Sequence, residues 1–271
     1  MRRIFLVGTA RSGTTLLQTI LHRSGYIYSP PETHFLDYSL PKAPIIRFLW
    51  IYGSKERQQI ASTAQKIGLA YSTTKKPGRF AYPRWLRHLN AILDDNAKRA
   101  GYQMWLEKTP SHLLFAPDLL RYTDSQIILN YREAKNNVAA LYQASKDHPA
   151  YFKQNTLDKA FKRYRRDARI MAQVADHERC FLVDYERILA QDSSLLMALF
   201  NFIGLSFKRA YLQPHRTDAS LLQEEESWKA NNTRPLKGAA KSYRERLSKA
   251  EIKTLDQLMR GYKNPIDGRC Y

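Results

Sequence analysis

The sequence predicts an α/β fold in which helices flank a central parallel sheet. Three observations favour this class. Short apolar runs have the length and composition of buried strands, predicted helices separate them along the chain, and the first run leads through a loop directly into a helix. Neither an internal repeat nor a low-complexity linker divides the chain, so we expect one domain over residues 1–271.

The first predicted unit is a strand, Arg3–Val7, followed by the loop Gly8–Gly13 and the helix Thr14–His22. A helical insertion is expected after this unit, over about residues 40–100. Within it, residues 54–100 lack runs of β-branched side chains, and the pattern is interrupted at Lys76-Pro77-Gly78.

The later part of the chain alternates strands and helices, as parallel βα units do. Residues 214–243 are polar and have little periodicity, which predicts a long loop, and loops of that length are usually functional or mobile. The predicted elements are strands at Tyr102–Leu106, Gln126–Tyr131 and Cys180–Tyr185, and helices at about 135–146, 156–178, 193–203 and 248–259, the last with Ser248 as N-cap and Gly261 as stop signal.

The net charge is the unusual feature of the composition. Lysine and arginine number 44 against 25 aspartates and glutamates, a formal charge of +19. Such an excess favours an anionic partner such as nucleic acid, an acidic polymer, a phosphorylated cofactor or a membrane surface, while a solvated basic surface is the alternative. No Lys/Arg tract or zinc-finger signature supports nucleic acid.

The compartment is predicted from two absences in the sequence. The apolar run Ile4–Val7 is far too short for a membrane span or a signal peptide, and no stretch reaches about 18 apolar residues. The two cysteines, Cys180 and Cys270, provide neither a disulfide framework nor metal-ligand spacing. We therefore expect a cytoplasmic protein without a metal site.

The loop after the first strand has the spacing of a phosphate-binding loop, Gly8-x4-Gly13-Thr14-Thr15. In such a loop, backbone N–H groups and the helix N-terminus hold phosphate oxygens. Thr14 occupies the position of the Walker A lysine, which argues against hydrolysis of ATP or GTP. Arg11 offers a replacement cation and a bidentate donor for a tetrahedral anion. An ordinary tight turn is the alternative.

Several motifs together resemble sulfotransferases that use 3′-phosphoadenosine 5′-phosphosulfate (PAPS). Arg11–Thr15 is similar to their 5′-phosphosulfate loop, in the arginine form of the tyrosylprotein and bacterial branches. Pro31–Asp37 and Glu107–Pro110 resemble motifs of heparan sulfate sulfotransferases. Further resemblances, in the same order along the chain, lie at Tyr131–Glu133, Val183–Ile188 and Phe202–Leu205.

The resemblance implies a single P-loop-type sulfotransferase domain. It would transfer a sulfuryl group in line from PAPS to a hydroxyl, less often an amine, of a small-molecule acceptor, for example a natural product, and release 3′-phosphoadenosine 5′-phosphate (PAP) without a metal. The cofactor-binding residues that the resemblance implies are Ala10, Arg11, Ser12, Gly13, Thr14, Thr15, Arg132, Tyr185, Arg234, Lys237 and Gly238. Lys241 is a further candidate for contact with the 3′-phosphate.

One departure from the family pattern concerns the 3′-phosphate. The family has a serine eight residues after the arginine, and this chain has Ala140. Asn136, Asn137 or Ser145 are candidates to replace its hydroxyl.

The resemblance also implies the catalytic residues. Glu32 is the predicted general base for the acceptor hydroxyl, with His34 as the rival base two residues later. Lys108, directly after a strand, and Arg11 are the predicted cations that stabilise charge on the leaving phosphate. His112 is a weaker candidate for contact with the acceptor.

Two other functions remain open from the residues alone. One is a P-loop kinase for a small molecule, and the other is a nucleic-acid-binding protein that uses the basic surface. The basic helix that contains Lys159, Lys162, Arg163, Arg165, Arg166 and Arg169 attracts either an anionic acceptor or an anionic surface, or is a solvated face.

Overall fold

The core of the protein is a parallel four-stranded sheet, as predicted. This is a computed structural model that describes residues 1–47, 54–71, 82–214, 221 and 240–269. The strands lie in the order β2-β1-β3-β4, and every neighbouring pair is parallel. They are β1 (Arg2–Gly8), β2 (Met104–Lys108), β3 (Gln126–Tyr131) and β4 (Cys180–Asp184).

Helices fill the connections between the strands. Three of them, α3 to α5, confirm the helical insertion, but the expected break at Lys76-Pro77-Gly78 lies outside the described residues. The helices are α1 (Thr14–His22), α2 (Phe35–Ser39), α3 (Pro44–Arg47), α4 (Ser54–Lys66), α5 (Tyr82–Arg99), α6 (Ala116–Tyr122), α7 (Ala134–Asp147), α8 (Leu157–Val174), α9 (Tyr185–Leu189), α10 (Ser193–Phe202), α11 (Tyr243–Arg246) and α12 (Lys249–Leu258), with 3-10 helices at Pro110–Phe115 and Arg209–Leu212.

Both faces of the sheet are covered. Successive residues of a strand point to opposite faces. Phe5 and Val7 therefore lie in the larger core, with residues of α5 to α8, whereas Ile4 and Leu6 lie in the smaller core, with residues of α1 and α10. A strand buried on both faces is apolar throughout, which explains the continuous run that identified β1 in the sequence.

The structure differs from the predicted elements mainly at short helices. Tyr185 begins α9 instead of ending the strand, because the Asp184 carboxylate accepts hydrogen bonds from the backbone N–H groups of Glu186 and Arg187. Most of the predicted loop at 214–243 lies outside the described residues. At its end, a capping box between Ser242 and Glu245 starts α11.

The carboxyl ends of the four strands meet at one edge of the sheet. In open parallel sheets, ligands bind beyond this edge. The residues that end or follow the strands there are Gly8, Lys108, Arg132 and Tyr185. Three of the four are predicted site residues.

Candidate active site

A cavity of about 500 Å³ opens at this edge of the sheet. Its size is that of a small-molecule site. It brings together residues that are far apart in the sequence, and most of the predicted site residues line it. The lining consists of Ala10, Arg11, Gly13, Thr14, Thr15, Glu32, His34, Pro110, Ser111, Arg132, Ala140, Tyr151, Phe152, Arg163, Tyr185, Ala240, Lys241 and Arg246.

The phosphate loop depends on close backbone approaches. A Cβ atom on Gly8 would lie 2.4 Å from the carbonyl oxygen of Asn130, so only glycine fits there. Arg11 and Gly13 have left-handed backbone conformations, with φ of 68° and 95°. Ser12 is buried beneath the loop, where its carbonyl accepts a 2.7 Å hydrogen bond from Asn130 Nδ2. Ser12 therefore supports the loop from below and does not line the cavity.

Helix α1 begins directly after this loop. The first N–H groups of a helix have no intrahelical acceptor, and they carry the positive end of its dipole. Thr14 and Thr15 provide these groups, with hydroxyls, at the cavity wall. The loop and α1 together form a site for a tetrahedral anion.

Arg132 has donors that the protein does not use. Its Nη1 donates to the carbonyl of Arg11 at 3.2 Å, and its Nε lies 3.3 Å from Oε1 of Glu186. The guanidinium lies 4.9 Å from the ring centre of Tyr185. Its Nη2 is buried and has no hydrogen-bond partner. A buried donor of this kind indicates a missing acceptor.

The cations at this end of the cavity repel each other. The pKa of Arg11 is lowered, first by burial and then by the positive charges of Arg246 and Arg132. Burial and the charge of Arg132 likewise lower the pKa of Arg246. A polyanion placed among these side chains would relieve both effects. The residues present therefore fit a bisphosphate nucleotide.

Glu32 lies at the other end of the cavity in a segment held against the sheet. Tyr28, earlier in this segment, pairs with Trp105 of β2. Ser29 Oγ donates to the carbonyl of Leu106 and accepts from Gln18 Nε2, each at 2.9 Å. The chain before Glu32 is thus fixed to the strand that carries Lys108.

Lys108 connects the two ends of the cavity. It is almost fully buried, and its ammonium group donates to Glu32 Oε1 and, at 3.3 Å, to Thr15 Oγ1. Thr15 belongs to the phosphate loop, whereas Glu32 faces the other end. Lys108 does not line the cavity itself but acts on it through both contacts.

His34 lies between two carboxylates. Its Nε2 is 3.3 Å from Glu32 Oε2, and its Nδ1 is 3.0 Å from Asp37 Oδ2, which also accepts from Ser111 Oγ. Burial lowers the pKa of His34, but the hydrogen bonds to Asp37 and Glu32 outweigh it and raise this pKa to about 10. The imidazole is therefore protonated at neutral pH and cannot accept a proton.

A buried layer supports the segment from Glu32 to Asp37. The carboxylate of Glu107 accepts hydrogen bonds from the Thr33 backbone N–H and hydroxyl, at 3.3 and 2.9 Å, and from Thr109 Oγ1. It also lies 2.9 Å from His112 Nδ1. Despite burial, these contacts lower the pKa of Glu107, which is therefore ionised. His112 lies in this layer and does not line the cavity, so the prediction that it touches the acceptor is not supported.

Other predictions have mixed outcomes. Arg234, Lys237 and Gly238 lie outside the described residues. Ala140, which stands where the family has a serine, lines the cavity. The candidates to replace the serine hydroxyl do not line it. Asn136 Oδ1 accepts from the Tyr243 backbone, Asn137 Nδ2 donates to the Ala10 carbonyl, and Ser145 Oγ donates to the carbonyls of Tyr142 and Gln154. Lys241, the fourth candidate for the 3′-phosphate in this part of the chain, lines the cavity.

Several lining residues escaped the sequence analysis. Arg246 is one, although the Ser242–Glu245 capping box is a readable signal that a helix starts just before it. Tyr151 and Phe152, from the region between α7 and α8, are two more. No motif marks them, because their position follows from tertiary packing. Arg163 of α8 belongs to the basic helix singled out in the sequence, and it is the basic residue of that helix that lines the cavity.

The fold and the cavity define an α/β protein whose cavity is lined by a loop of phosphate-binding type and by several arginines. The chain belongs to the sulfotransferase family, whose model matches residues 3–209. Its resemblance to that family is thereby confirmed, and the protein is a transferase. Comparison with curated protein sequences gives no match.

Solved sulfotransferase structures have the same fold at low sequence identity. The sulfotransferase domain of the Synechococcus PCC 7002 olefin synthase aligns with a TM-score of 0.52 and 15% identity, over 97% of this chain and 88% of that one. Sulfotransferase STF9 of Mycobacterium avium gives 0.53 and 16%, over 98% and 77%. Mouse sulfotransferase SULT7A1, complexed with PAP, gives 0.53 and 12%, over 98% and 84%.

Two properties of the described part of the chain bear on membranes and metal ions. No helix there is long and apolar enough to cross a bilayer. No group of three or more His, Cys, Asp or Glu side chains there is arranged to hold a metal ion.

Proposed function

We propose that this chain is a PAPS-dependent sulfotransferase that sulfates a hydroxyl group of a small-molecule acceptor. One observation carries the proposal: the anion-binding loop with its arginines and the Glu32–Lys108 pair converge on one cavity. Bound PAPS would supply the sulfuryl group, and PAP is the product that the mouse relative binds. The cavity uses residues from Ala10 to Arg246, which supports a single catalytic domain.

The loop end of the cavity is the proposed cofactor site. The N–H groups of Gly13, Thr14 and Thr15, with Arg11, would bind the 5′ phosphate, because loop and helix N-terminus form an anion site there. Arg132 has a buried, unused Nη2 donor and would bind the 3′-phosphate. Tyr185 would contact the adenine. The candidates Arg234, Lys237 and Gly238 for the 3′-phosphate remain proposals.

The other end of the cavity is the proposed acceptor site. Glu32 would take the proton of the acceptor hydroxyl, since the neighbouring His34 is protonated at neutral pH. Charge develops on the leaving phosphate during transfer, and Lys108, in contact with the loop hydroxyl of Thr15, would stabilise it. His34 would add a second positive charge and fix the orientation of the Glu32 carboxylate. No step requires a metal.

The acceptor is proposed to be a small metabolite with a hydroxyl group, such as a natural product, and the compartment to be the cytoplasm. The family match supports neither of the two alternative hypotheses, a P-loop kinase for a small molecule or a nucleic-acid-binding protein. The kinase hypothesis predicts that ATP-Mg²⁺ stabilises the protein more than PAP does, which the first experiment tests.

The cofactor assignment is tested by ligand-dependent thermal stability. PAP at a hundredfold over its Kd should stabilise the folded state by about 2.7 kcal/mol. ATP with Mg²⁺ should stabilise it much less, because Thr14 replaces the lysine that reaches the β/γ-phosphates. Stronger stabilisation by ATP-Mg²⁺ than by PAP would exclude the sulfotransferase assignment.

The base assignment is tested by Glu32→Gln, which keeps the size and hydrogen-bonding capacity of the side chain. Loss of a general base should lower the transfer rate by about 10²- to 10⁴-fold. PAP binding should change little, because Glu32 lies on the acceptor side. His34→Ala is the matched comparison. If His34→Ala abolishes turnover while Glu32→Gln keeps more than about a tenth of it, His34 is the base instead.

A further inference from the structure

The charged side chains of the cavity fall into two groups. Beyond burial, the charges of Arg246 and Arg132 lower the pKa of Arg11, and the charge of Arg132 lowers that of Arg246, which places these arginines together at the cofactor end. Arg163 lines the same cavity from α8, which packs against the 3-10 helix Pro110–Phe115. Ser111 of that 3-10 helix also lines the cavity and donates to Asp37 Oδ2, the carboxylate that contacts His34. Arg163 is therefore a cation of the acceptor end.

Arg163 differs in burial from most basic residues of α8. Lys159, Lys162, Arg166 and Arg169 are exposed to solvent, whereas the Arg163 side chain is only 23% exposed. Arg165 is half-buried as well, but its guanidinium lies against the rings of Phe161 and Tyr262 and does not line the cavity. Of the basic residues of α8, Arg163 alone lines the cavity. Among these basic residues, Arg163 is therefore the one placed for ligand binding in the cavity, and Lys159, Lys162, Arg166 and Arg169 form a solvated face.

The guanidinium of Arg163 has donors to spare. Its Nη1 donates to Gln154 Oε1 at 3.3 Å. The nearest carboxylate is that of Asp167, but Asp167 Oδ1 accepts two bonds from Arg166, at 2.9 and 2.6 Å, and its Oδ2 is 3.7 Å from Arg163 Nε. That Nε atom is buried and has no hydrogen-bond partner.

A buried guanidinium with an unused donor favours an anion. Burial lowers the pKa of Arg163, and the charge of Asp167 offsets this only in part. An anionic ligand group in the cavity would compensate the cost of burying the Arg163 guanidinium, which the Asp167 carboxylate at 3.7 Å does only in part, and charge-assisted hydrogen bonds to such a group are stronger than neutral ones.

Aromatic side chains lie in the same wall. Tyr151 and Phe152, in the connection between α7 and α8, both line the cavity. The ring of Phe152 lies 5.9 Å from the guanidinium carbon of Arg11, beside the phosphate loop. Because these two rings and Arg163 line one cavity, a ligand that reaches Arg163 has an apolar surface available for its body.

On the basis of the proposed function, we propose that Arg163 binds an anionic group of the acceptor, so that the enzyme sulfates hydroxylated carboxylates or phosphates with an apolar body. Glu32 would receive the hydroxyl, Arg163 the anionic group, and Tyr151 and Phe152 the apolar part. Arg163 is then a specificity-determining residue, separate from the arginines of the cofactor end.

The test compares two probes that differ only in charge, 3-(4-hydroxyphenyl)propanoate and its amide. Calorimetric binding is measured with the PAP-saturated protein. Wild-type protein should bind the acid at least about tenfold more tightly than the amide, the factor that corresponds to one charge-assisted hydrogen bond. Arg163→Gln should remove this preference without changing amide binding by more than about threefold.

Arg166→Gln is the matched control, because Arg166 shares the carboxylate of Asp167 but is exposed and does not line the cavity. It should keep the preference for the acid. Arg163→Lys retains the charge and should keep part of the preference. The salt dependence of the wild-type preference provides a readout that does not depend on any variant.

Three results would overturn this inference. They are equal binding of acid and amide by the wild type, no binding of the acid by the wild type, and an equal loss of the preference for the acid in Arg163→Gln and Arg166→Gln. Stabilisation by PAP is measured first for each protein. If PAP fails to bind the wild type, the proposed function falls and this inference with it. If PAP binds and the charge preference is missing, only this inference falls.

Discussion

Replacement of Gly13 by alanine tests the geometry of the phosphate loop. Gly13 has φ of +95°, and a Cβ atom there would lie 2.2 Å from Cδ2 and Cε2 of the Tyr185 ring. A left-handed conformation costs a non-glycine residue about 1–2 kcal/mol. Displacement of the Tyr185 ring also disturbs its contact with Arg132, 4.9 Å away, which is worth about 0.5–2 kcal/mol. Gly13→Ala should therefore lower the free energy of unfolding by about 1.5–4 kcal/mol.

The chain offers a control for the backbone part of this cost. Gly25 has φ of +77°, and a Cβ atom there would meet nothing within 4 Å. Gly25→Ala should lower the free energy of unfolding by only about 1–2 kcal/mol and change PAP affinity by less than threefold. Gly13→Ala should weaken PAP binding by about tenfold or more, which corresponds to 1.4 kcal/mol.

Urea denaturation and PAP titration of both variants, in the wild-type and Tyr185→Ala backgrounds, measure these effects. In the Tyr185→Ala background, Gly13→Ala should cost no more than Gly25→Ala, because the ring contact is gone. The role of the ring contact is contradicted if Gly13→Ala lowers the free energy of unfolding equally in both backgrounds. It is also contradicted if the Gly13 and Gly25 variants bind PAP equally well.

Two further predictions concern the acceptor side. Glu107→Gln should lower the free energy of unfolding by about 3–5 kcal/mol, as expected for a broken buried charge network, and should leave PAP binding unchanged. If urea denaturation shows that the free energy of unfolding falls by less than about 1 kcal/mol, the role of the buried layer is contradicted. His34 has its pKa raised from 6.5 to about 10 by Asp37 and Glu32, so its stabilising contribution is complete below pH 6.5 and is lost as the pH rises through 10. The stability advantage of the wild type over His34→Gln should therefore fall between those pH values in urea denaturation, and a constant advantage would contradict the ion pairs.

The sequence predicted the sheet and the phosphate loop well, because both depend on local signals. A buried parallel strand is apolar throughout, and the Gly8–Thr15 loop has a fixed glycine spacing. The order of the strands and the short helix α6 could not be predicted in this way. A helix of two turns has too little hydrophobic periodicity, and strand order depends on contacts between distant segments.

The candidate site was predicted where motifs continue a strand and missed where it depends on packing. Lys108 and Arg132 follow strand ends, so their convergence could be expected. The buried pairing of Lys108 with Glu32, which are 76 positions apart, could not. Arg163 was one of several basic residues in a helical pattern, and only tertiary structure shows that it alone faces the cavity.

The order of the strands separates two tasks along one edge of the sheet. Neighbouring strands are about 4.8 Å apart, so the edge from β2 to β4 spans roughly 14 Å. Lys108 and the segment of Glu32 lie at the β2 end, whereas Tyr185 lies at the β4 end, with the phosphate loop between them. None of the described residues of α3 to α5 lines the cavity, although this insertion enters the chain between Glu32 and β2. Under the proposed function, substitutions in the Glu32 segment would alter which acceptors bind, while the phosphate loop, held by different strands, would keep the same donor.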